Sequence, residues 1–251
     1  MSVFTIAEIG QNHMGNESYA NYMLNSITNN KNIDAITFQI REESFYFGLR
    51  KKLILKDSFY QKAKNKIKNS GKKFGVALCD PKKIKFFESL GVDFIKVINN
   101  DIENDHLVKE LLKSKIKKIY FSTGLSGEKE IKKLLTKIKK INKNYEIIHT
   151  TLSNNVTSAN LNSINYLKKI TNFPIGFGLH SERWEVLLFS LCFNPSSILF
   201  YVKGPKFKVH RDERHAIKIK DLDRIASIIK QHPKIIGKYN KKAPKKTLKY
   251  K

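Results

Sequence analysis

The sequence predicts a single (β/α)8 barrel of the TIM type, and three observations lead there. Short β-branched runs alternate with longer amphipathic stretches, as strand-helix units around a parallel sheet require. Eight such units fit into 251 residues, the usual size of one eight-fold barrel. Polar residues recur at the candidate strand ends, and no glycine-rich dinucleotide fingerprint follows the first strand, which favours a closed barrel over an open doubly wound sheet.

Strands are expected at 3–10 (VFTIAEIG), 34–40 (DAITFQI), 72–78 (KKFGVAL), 93–99 (DFIKVIN), 118–124 (KIYFSTG), 146–151 (EIIHTT), 174–180 (PIGFGLH) and 197–204 (SILFYVKG). Helical patterns fall at 18–29, 59–69, 84–90, 105–113, 128–141, 161–170, 182–192 and 219–231. Asp80-Pro81 precedes the third helix, and Gly127-Glu128 opens the fifth. Gly71 and Gly91 stand where a helix closes on a left-handed residue before the next strand. The barrel is expected over 1–233, with a basic tail over 234–251.

With 41% hydrophobic side chains the chain can bury a full core. Its formal net charge of +26 comes mostly from lysines spread over many helices, such as Lys62, Lys64, Lys66 and Lys68. Spread charge of this kind reads as a general surface property, so nucleic acid is not an expected partner. Only the tail, KKAPKKTLKYK, concentrates it. Cys79 and Cys192 sit in apolar sequence surroundings without metal-ligand spacing, which argues against a disulfide scaffold and for a reducing compartment. No apolar run of about 18 residues and no basic leader with a long apolar stretch is present, so a cytoplasmic protein without a membrane span is expected.

Barrel enzymes draw their reacting groups from strand ends and the loops beyond them. Those positions hold Glu8, Gln11, Asn12 and His13 after the first strand, Gln39 and Arg41 after the second, and Asp80 after the third. The fourth gives Lys96, Asn99, Asn100 and Asp101; the fifth Ser122 and Thr123; the sixth His149, Thr150 and Thr151. His180, Ser181 and Glu182 end the seventh, Lys203 ends the eighth, and Arg211, Asp212, Glu213, Arg214 and His215 follow. Such a ring supports acid-base, metal or Schiff-base chemistry. Of the histidines, His13 and His149 read as structural, and His106, His210 and His232 as surface or loop residues. Trp184 and the phenylalanines read as packing residues.

At these residues a resemblance emerges. AEIGQNHMGN looks like the opening signature of the sialic acid synthase family, and DAITFQ, DFIKVINNDIEN, FSTGLSGEKEI, IIHTT, PIGFGLHS and RHAIKIKDL resemble later segments of it in the same order. The resemblance implies a barrel that condenses phosphoenolpyruvate with an N-acetyl amino sugar in surface-glycan synthesis, as a homodimer, with a divalent metal such as manganese or magnesium. By position, Glu8 and Asp101 would be acidic groups of the catalysis, and His180 a metal ligand. Lys96, Ser122 and Thr123 would face the carboxylate and phosphate of phosphoenolpyruvate, with Asn12, Gln39 and Asn99 completing the substrate contacts.

Several positions depart from the family. Thr37 replaces a strand-two lysine, Asn99-Asn100-Asp101 replaces Ser-Gly-Glu, and Gly178-Leu179-His180 replaces Ser-Asp-His. Tyr201-Val202-Lys203 replaces Glu-Lys-His on the eighth strand, so the second metal-binding imidazole would have to come from His210 or His215 in the last loop. The family continues past the barrel into a small antifreeze-like domain, and this sequence stops at Lys251. Two other outcomes therefore stay open: a non-catalytic barrel that binds a sugar or a partner, and a metal-free aldolase in which Lys96 or Lys203 forms a Schiff base.

Overall fold

A computed structural model describes residues 3–98 and 102–237. All eight expected strands form: β1 Phe4–Gly10, β2 Ala35–Ile40, β3 Lys73–Leu78, β4 Phe94–Val97, β5 Lys118–Ser122, β6 Asn144–His149, β7 Ile175–Gly178 and β8 Ser197–Lys203. They alternate with α1 Glu17–Thr28, α2 Asp57–Asn69, α3 Ile84–Leu90, α4 Asp105–Lys113, α5 Glu128–Ile138, α6 Asn162–Ile170, α7 Val186–Leu191 and α8 Ile219–Ile236. Each strand runs parallel to the next, and β8 returns to β1 with Phe4 opposite Ser197 and Glu8 opposite Tyr201. That pairing closes the sheet into the predicted barrel.

Period-two alternation sorts the strand residues into two cores. Ile6, Ala35, Phe94, Tyr120, Ile148 and Leu199 pack together inside the barrel. Their neighbours along the strands, including Ala7, Ile36, Phe38, Ile95, Phe121 and Phe200, join the larger core between sheet and helices. Gly75 leaves room for the Phe94 ring, since a Cβ there would lie 2.1 Å from Phe94 Cε2. Glu146 is also buried, with its Oε1 accepting from the hydroxyls of Ser196 and Ser197, each at 2.5 Å, and its Oε2 2.8 Å from Lys118 Nζ. A carboxylate so satisfied is tolerated in a low-dielectric interior.

Local chemistry sets the helix starts. Asn16 Oδ1 accepts from Tyr19 N at 2.8 Å and caps α1, Asn104 Oδ1 accepts from Leu107 N at 3.1 Å and caps α4, and Glu130 reaches back to Gly127 N at the start of α5. Asp80 caps a 3-10 turn, Pro81–Lys83, that leads into α3.

Four details differ from the sequence expectation. α7 starts at Val186 because Ser181 Oγ accepts from Arg183 N and holds the preceding residues in turns. α8 continues past Pro233 to Ile236, beyond the boundary expected at 233. Cys192, expected in apolar surroundings, is exposed just after α7, whereas Cys79 is buried. A further short strand, β9 Ile217–Lys218, pairs in parallel with the end of β8 and ties the last loop to the barrel. The tail over 238–251 lies outside the described residues. Among the described residues no helix is long and apolar enough to cross a membrane.

Gly75→Ala should destabilise the protein by about 1–3 kcal/mol, because overpacking forces the Phe94 ring off its site. Urea denaturation followed by circular dichroism measures the loss; an unchanged midpoint would show that the barrel interior is not tightly filled.

Candidate functional site

β1 ends irregularly. Its pairing with β2 slips between Glu8 and Gly10, and Gly10 takes a left-handed φ of 57° that lets the chain turn at the barrel mouth. An added Cβ on Gly10 would meet the Tyr201 ring at 2.6 Å and Asp212 Oδ2 at 3.2 Å, so a side-chain-free backbone is what allows those two groups to approach.

Glu8 is fully buried, and its Oε2 bonds the ammonium of Lys96, itself 5% exposed, on β4 across the barrel. Removing both charges from water is costly, and only their close mutual pairing offsets it. The second oxygen, Oε1, has no hydrogen-bond partner among the described residues. Tyr201 lies beside the pair, with Lys96 Nζ 5.5 Å from its ring centre. Burial holds the Tyr201 phenol well above its ordinary pKa, and the Glu8 and Asp212 carboxylates push it further up.

Above this pair is a cavity of about 170 Å³. Gln39, Lys96, Ser122, His180 and Tyr201 line it from the strands, and Gln11, Arg41, Phe45, Arg211 and Asp212 from the loops. The His180 and His215 rings stack with centroids 4.3 Å apart, and Tyr201 packs edge-on to both at 5.6 and 5.0 Å. Burial lowers the His180 pKa to about 2, assisted by the neighbouring His215 and Lys96. Burial likewise lowers His215 to about 4, with Lys96 and Lys203 adding to the effect. Both imidazoles are therefore neutral at pH 7. Asp212 goes the other way, raised to about 7 by burial and by the Glu8 carboxylate. Its Oδ2 and His215 Nε2 have no hydrogen-bond partners among the described residues, and His215 Nε2 lies 3.8 Å from Asp212 Oδ1.

The residues expected at the site divide by location. Glu8 and Lys96 form the buried pair, and Gln39, Ser122 and His180 share the cavity with Lys96. Asn12 instead braces the mouth: its Nδ2 donates to Val202 O and its Oδ1 accepts from Asp212 N, both at 2.9 Å. Thr123 turns its hydroxyl to Ile148 O at 3.3 Å, on the neighbouring strand. Lys203 lines a separate groove, where its Nζ donates to Glu213 O at 2.6 Å and pairs with the Glu213 carboxylate. Asn99 and Asp101 lie outside the described residues.

His13 and His149 are structural, accepting from Gly15 N and donating to Ala159 O respectively, each at 2.9 Å. His210, expected as a surface or loop residue, lies in the last loop and is buried: it contacts the Tyr19 hydroxyl at 2.8 Å and Glu213 Oε2 at 3.0 Å, which anchors that loop on α1.

With this geometry in hand, the relatives become informative. The sequence profile of the NeuB family matches residues 19–241. The chain belongs to the NeuB family. A curated relative, an uncharacterized protein of Methanocaldococcus jannaschii, is 27% identical over 188 residues; the match takes in 71% of this chain and 55% of that protein, so the chain spans about half its relative's length. The crystal structure of an N-acetylneuraminic acid synthetase from Leptospira borgpetersenii, in complex with citrate, superposes with a TM-score of 0.88 at 25% identity, over 98% of this chain and 89% of that one. A spore coat polysaccharide biosynthesis protein from Bacillus subtilis superposes with a TM-score of 0.83 at 19% identity, over 94% and 69% of the two chains, and shares the fold.

The resemblance implies a divalent cation on His180, and this NeuB-family chain does bring a second imidazole, His215, to it from the last loop. The Lys96 ammonium also acts on both. Among the described residues no group of three His, Cys, Asp or Glu is arranged to hold a metal.

Asp212 and His215 stand in the last loop, where site residues were expected, whereas Tyr201 and Phe45 were not among the expected site residues. Tyr201 was legible only as a departure from the family, although its two-residue spacing from Leu199 assigns it to the inner face. Phe45 had no signal, because its loop obeys no period.

Because the folded Asp212 keeps a proton that the unfolded chain has already released, stability should fall as pH rises from about 4 through about 7. Asp212→Asn should flatten that decline. Thermal melting from pH 5 to pH 8 tests this, and identical slopes for the two proteins would refute the assignment.

Proposed function

We propose that this chain is a carbohydrate-biosynthetic synthase that joins phosphoenolpyruvate to the aldehyde of an N-acetyl amino sugar. Carbon 3 of phosphoenolpyruvate bonds to the aldehyde carbon, whose oxygen takes up a proton. Water adds at carbon 2, and inorganic phosphate leaves. The observation that carries this reading is the buried Glu8–Lys96 pair beneath a small polar cavity, in a chain of this family.

Each step has a suited group. Lys96 supplies a fixed cation for the carboxylate or phosphate, with Ser122 and Gln39 as hydrogen-bonding neighbours. Asp212, half protonated near pH 7, suits a donor to the aldehyde oxygen. The neutral His180 and His215 offer ring nitrogens that can hydrogen-bond a substrate hydroxyl or a water.

Incubation with phosphoenolpyruvate and a panel of amino sugars should release phosphate in a sugar-dependent way. Glu8→Gln should cut that rate by about 10²–10⁴, the usual worth of a positioned acid-base group. If the protein binds phosphoenolpyruvate and releases no phosphate with any sugar, the synthase reading fails and a sugar-binding barrel replaces it.

A further inference from the structure

Beside the central cavity lies a larger groove, of about 460 Å³ against about 170 Å³. It opens between the β2–α2 loop, α2 and α3, and its walls are Tyr46, Ile54, Leu55, Tyr60, Phe86 and Phe87. Arg41 lines both spaces. The Tyr46 hydroxyl, at the groove, accepts from Gln11 Nε2, at the cavity, at 3.2 Å, and from Arg41 N at 3.1 Å. The two spaces are therefore neighbours on either side of one wall. The groove that Lys203 lines shares no residue with the central cavity.

The chemistry of the groove limits what it takes. Its charged residues balance, with Arg41, Lys82 and Lys83 against Glu43, Asp57 and Asp80. Lys82 pairs with Glu43 at 3.0 Å and Lys83 with Asp57 at 2.9 Å, Asp80 accepts from Lys82 N at 2.9 Å, and Arg41 pairs with Glu42 at 2.9 Å. A charged ligand group would have to compete with these pairs, whereas an uncharged apolar group meets four aromatic rings and two aliphatic side chains and displaces water from them. Size adds an independent argument. The central cavity, at about 170 Å³, is smaller than the roughly 300 Å³ at which small-molecule sites begin, so two substrates together extend beyond it.

We propose that this groove is a subsite for a bulky apolar substituent of the acceptor, and that the acceptor is an amino sugar whose N-acyl chain is longer than acetyl. The proposal rests on the synthase reading and goes beyond it in naming the chain. The aldehyde lies over the Glu8–Lys96 pair, and the acyl chain passes Arg41 to lie among the rings. Acylation suits this placement, because it attaches an apolar chain to the sugar while removing the charge of its amine.

Isothermal titration calorimetry on the full chain compares N-acyl derivatives of mannosamine and of glucosamine with acyl chains of two, four and six carbons. Each added methylene should tighten binding about three- to fourfold, the worth of a buried CH₂, so the hexanoyl derivative of the preferred sugar should bind at least about 50-fold more tightly than the acetyl one. Ile54 stands half-exposed at the groove, and Ile54→Trp should fill the space and bring the hexanoyl sugar down to the affinity of the acetyl sugar. Phe86→Ala removes a wall from a partly buried position and should reduce the hexanoyl preference several-fold. Thermal melting verifies that both variants are folded.

Affinity that stays level or falls with chain length overturns the proposal, as does failure of the wild type to bind any derivative. A length preference that persists undiminished in both variants would place the chain elsewhere and also overturn it. Binding is read without turnover. A protein that prefers the hexanoyl sugar but releases no phosphate from phosphoenolpyruvate with any derivative removes the synthase reading and keeps the subsite, and phosphate release without a length preference does the reverse.

Discussion

Closure of β8 on β1 is the constraint on which the rest of the structure depends. The register that sets Glu8 opposite Tyr201 decides which side chains meet at the base of the mouth. One residue of slip would reverse the inward and outward faces of β1, placing Glu8 among the apolar groups beneath the helices. With the register fixed, Lys96 arrives from β4 across the barrel and the two charges neutralise each other away from water. Gly10 completes the arrangement by turning the chain without a side chain in the way of Tyr201 or Asp212.

From floor to rim the site changes character. The floor is an ion pair with no net charge; the middle layer holds two imidazoles kept neutral by burial and a carboxylate that holds its proton near neutral pH. The rim sets three arginines, Arg41, Arg50 and Arg211, around the ring of Phe45. The sequence total of +26 says little about this, because most of it is lysine on the outer helices. Arginine at the mouth has another use: its planar, weakly hydrated head tolerates an aromatic face and binds anions through two hydrogen bonds at once.

The last loop carries much of the site, and it is held in place by contacts distant in sequence. Asn12 fixes Asp212, His210 anchors to Tyr19 on α1, Lys203 pairs with Glu213, and β9 pairs with the end of β8. Lys203 is thereby committed to the loop and lies apart from the central cavity. The same framework carries His215 to His180, where β8 itself offers no imidazole.

How much of this was legible follows from the range of the forces involved. Strand and helix positions depend on local periodicity, so all eight strands stood out in the sequence, and the inward spacing along them marked Glu8, Gln39, Lys96, Ser122 and His180. By itself the sequence determined the barrel, its order and the identity of the groups on its inner face. Only the tertiary structure decided that Lys96 pairs with Glu8, that Asn12 and Thr123 brace backbone, that His210 is buried, and that Phe45 gathers arginines from two loops. Those contacts join residues dozens to hundreds of positions apart, across loops without a repeating pattern, and only barrel closure brings them together.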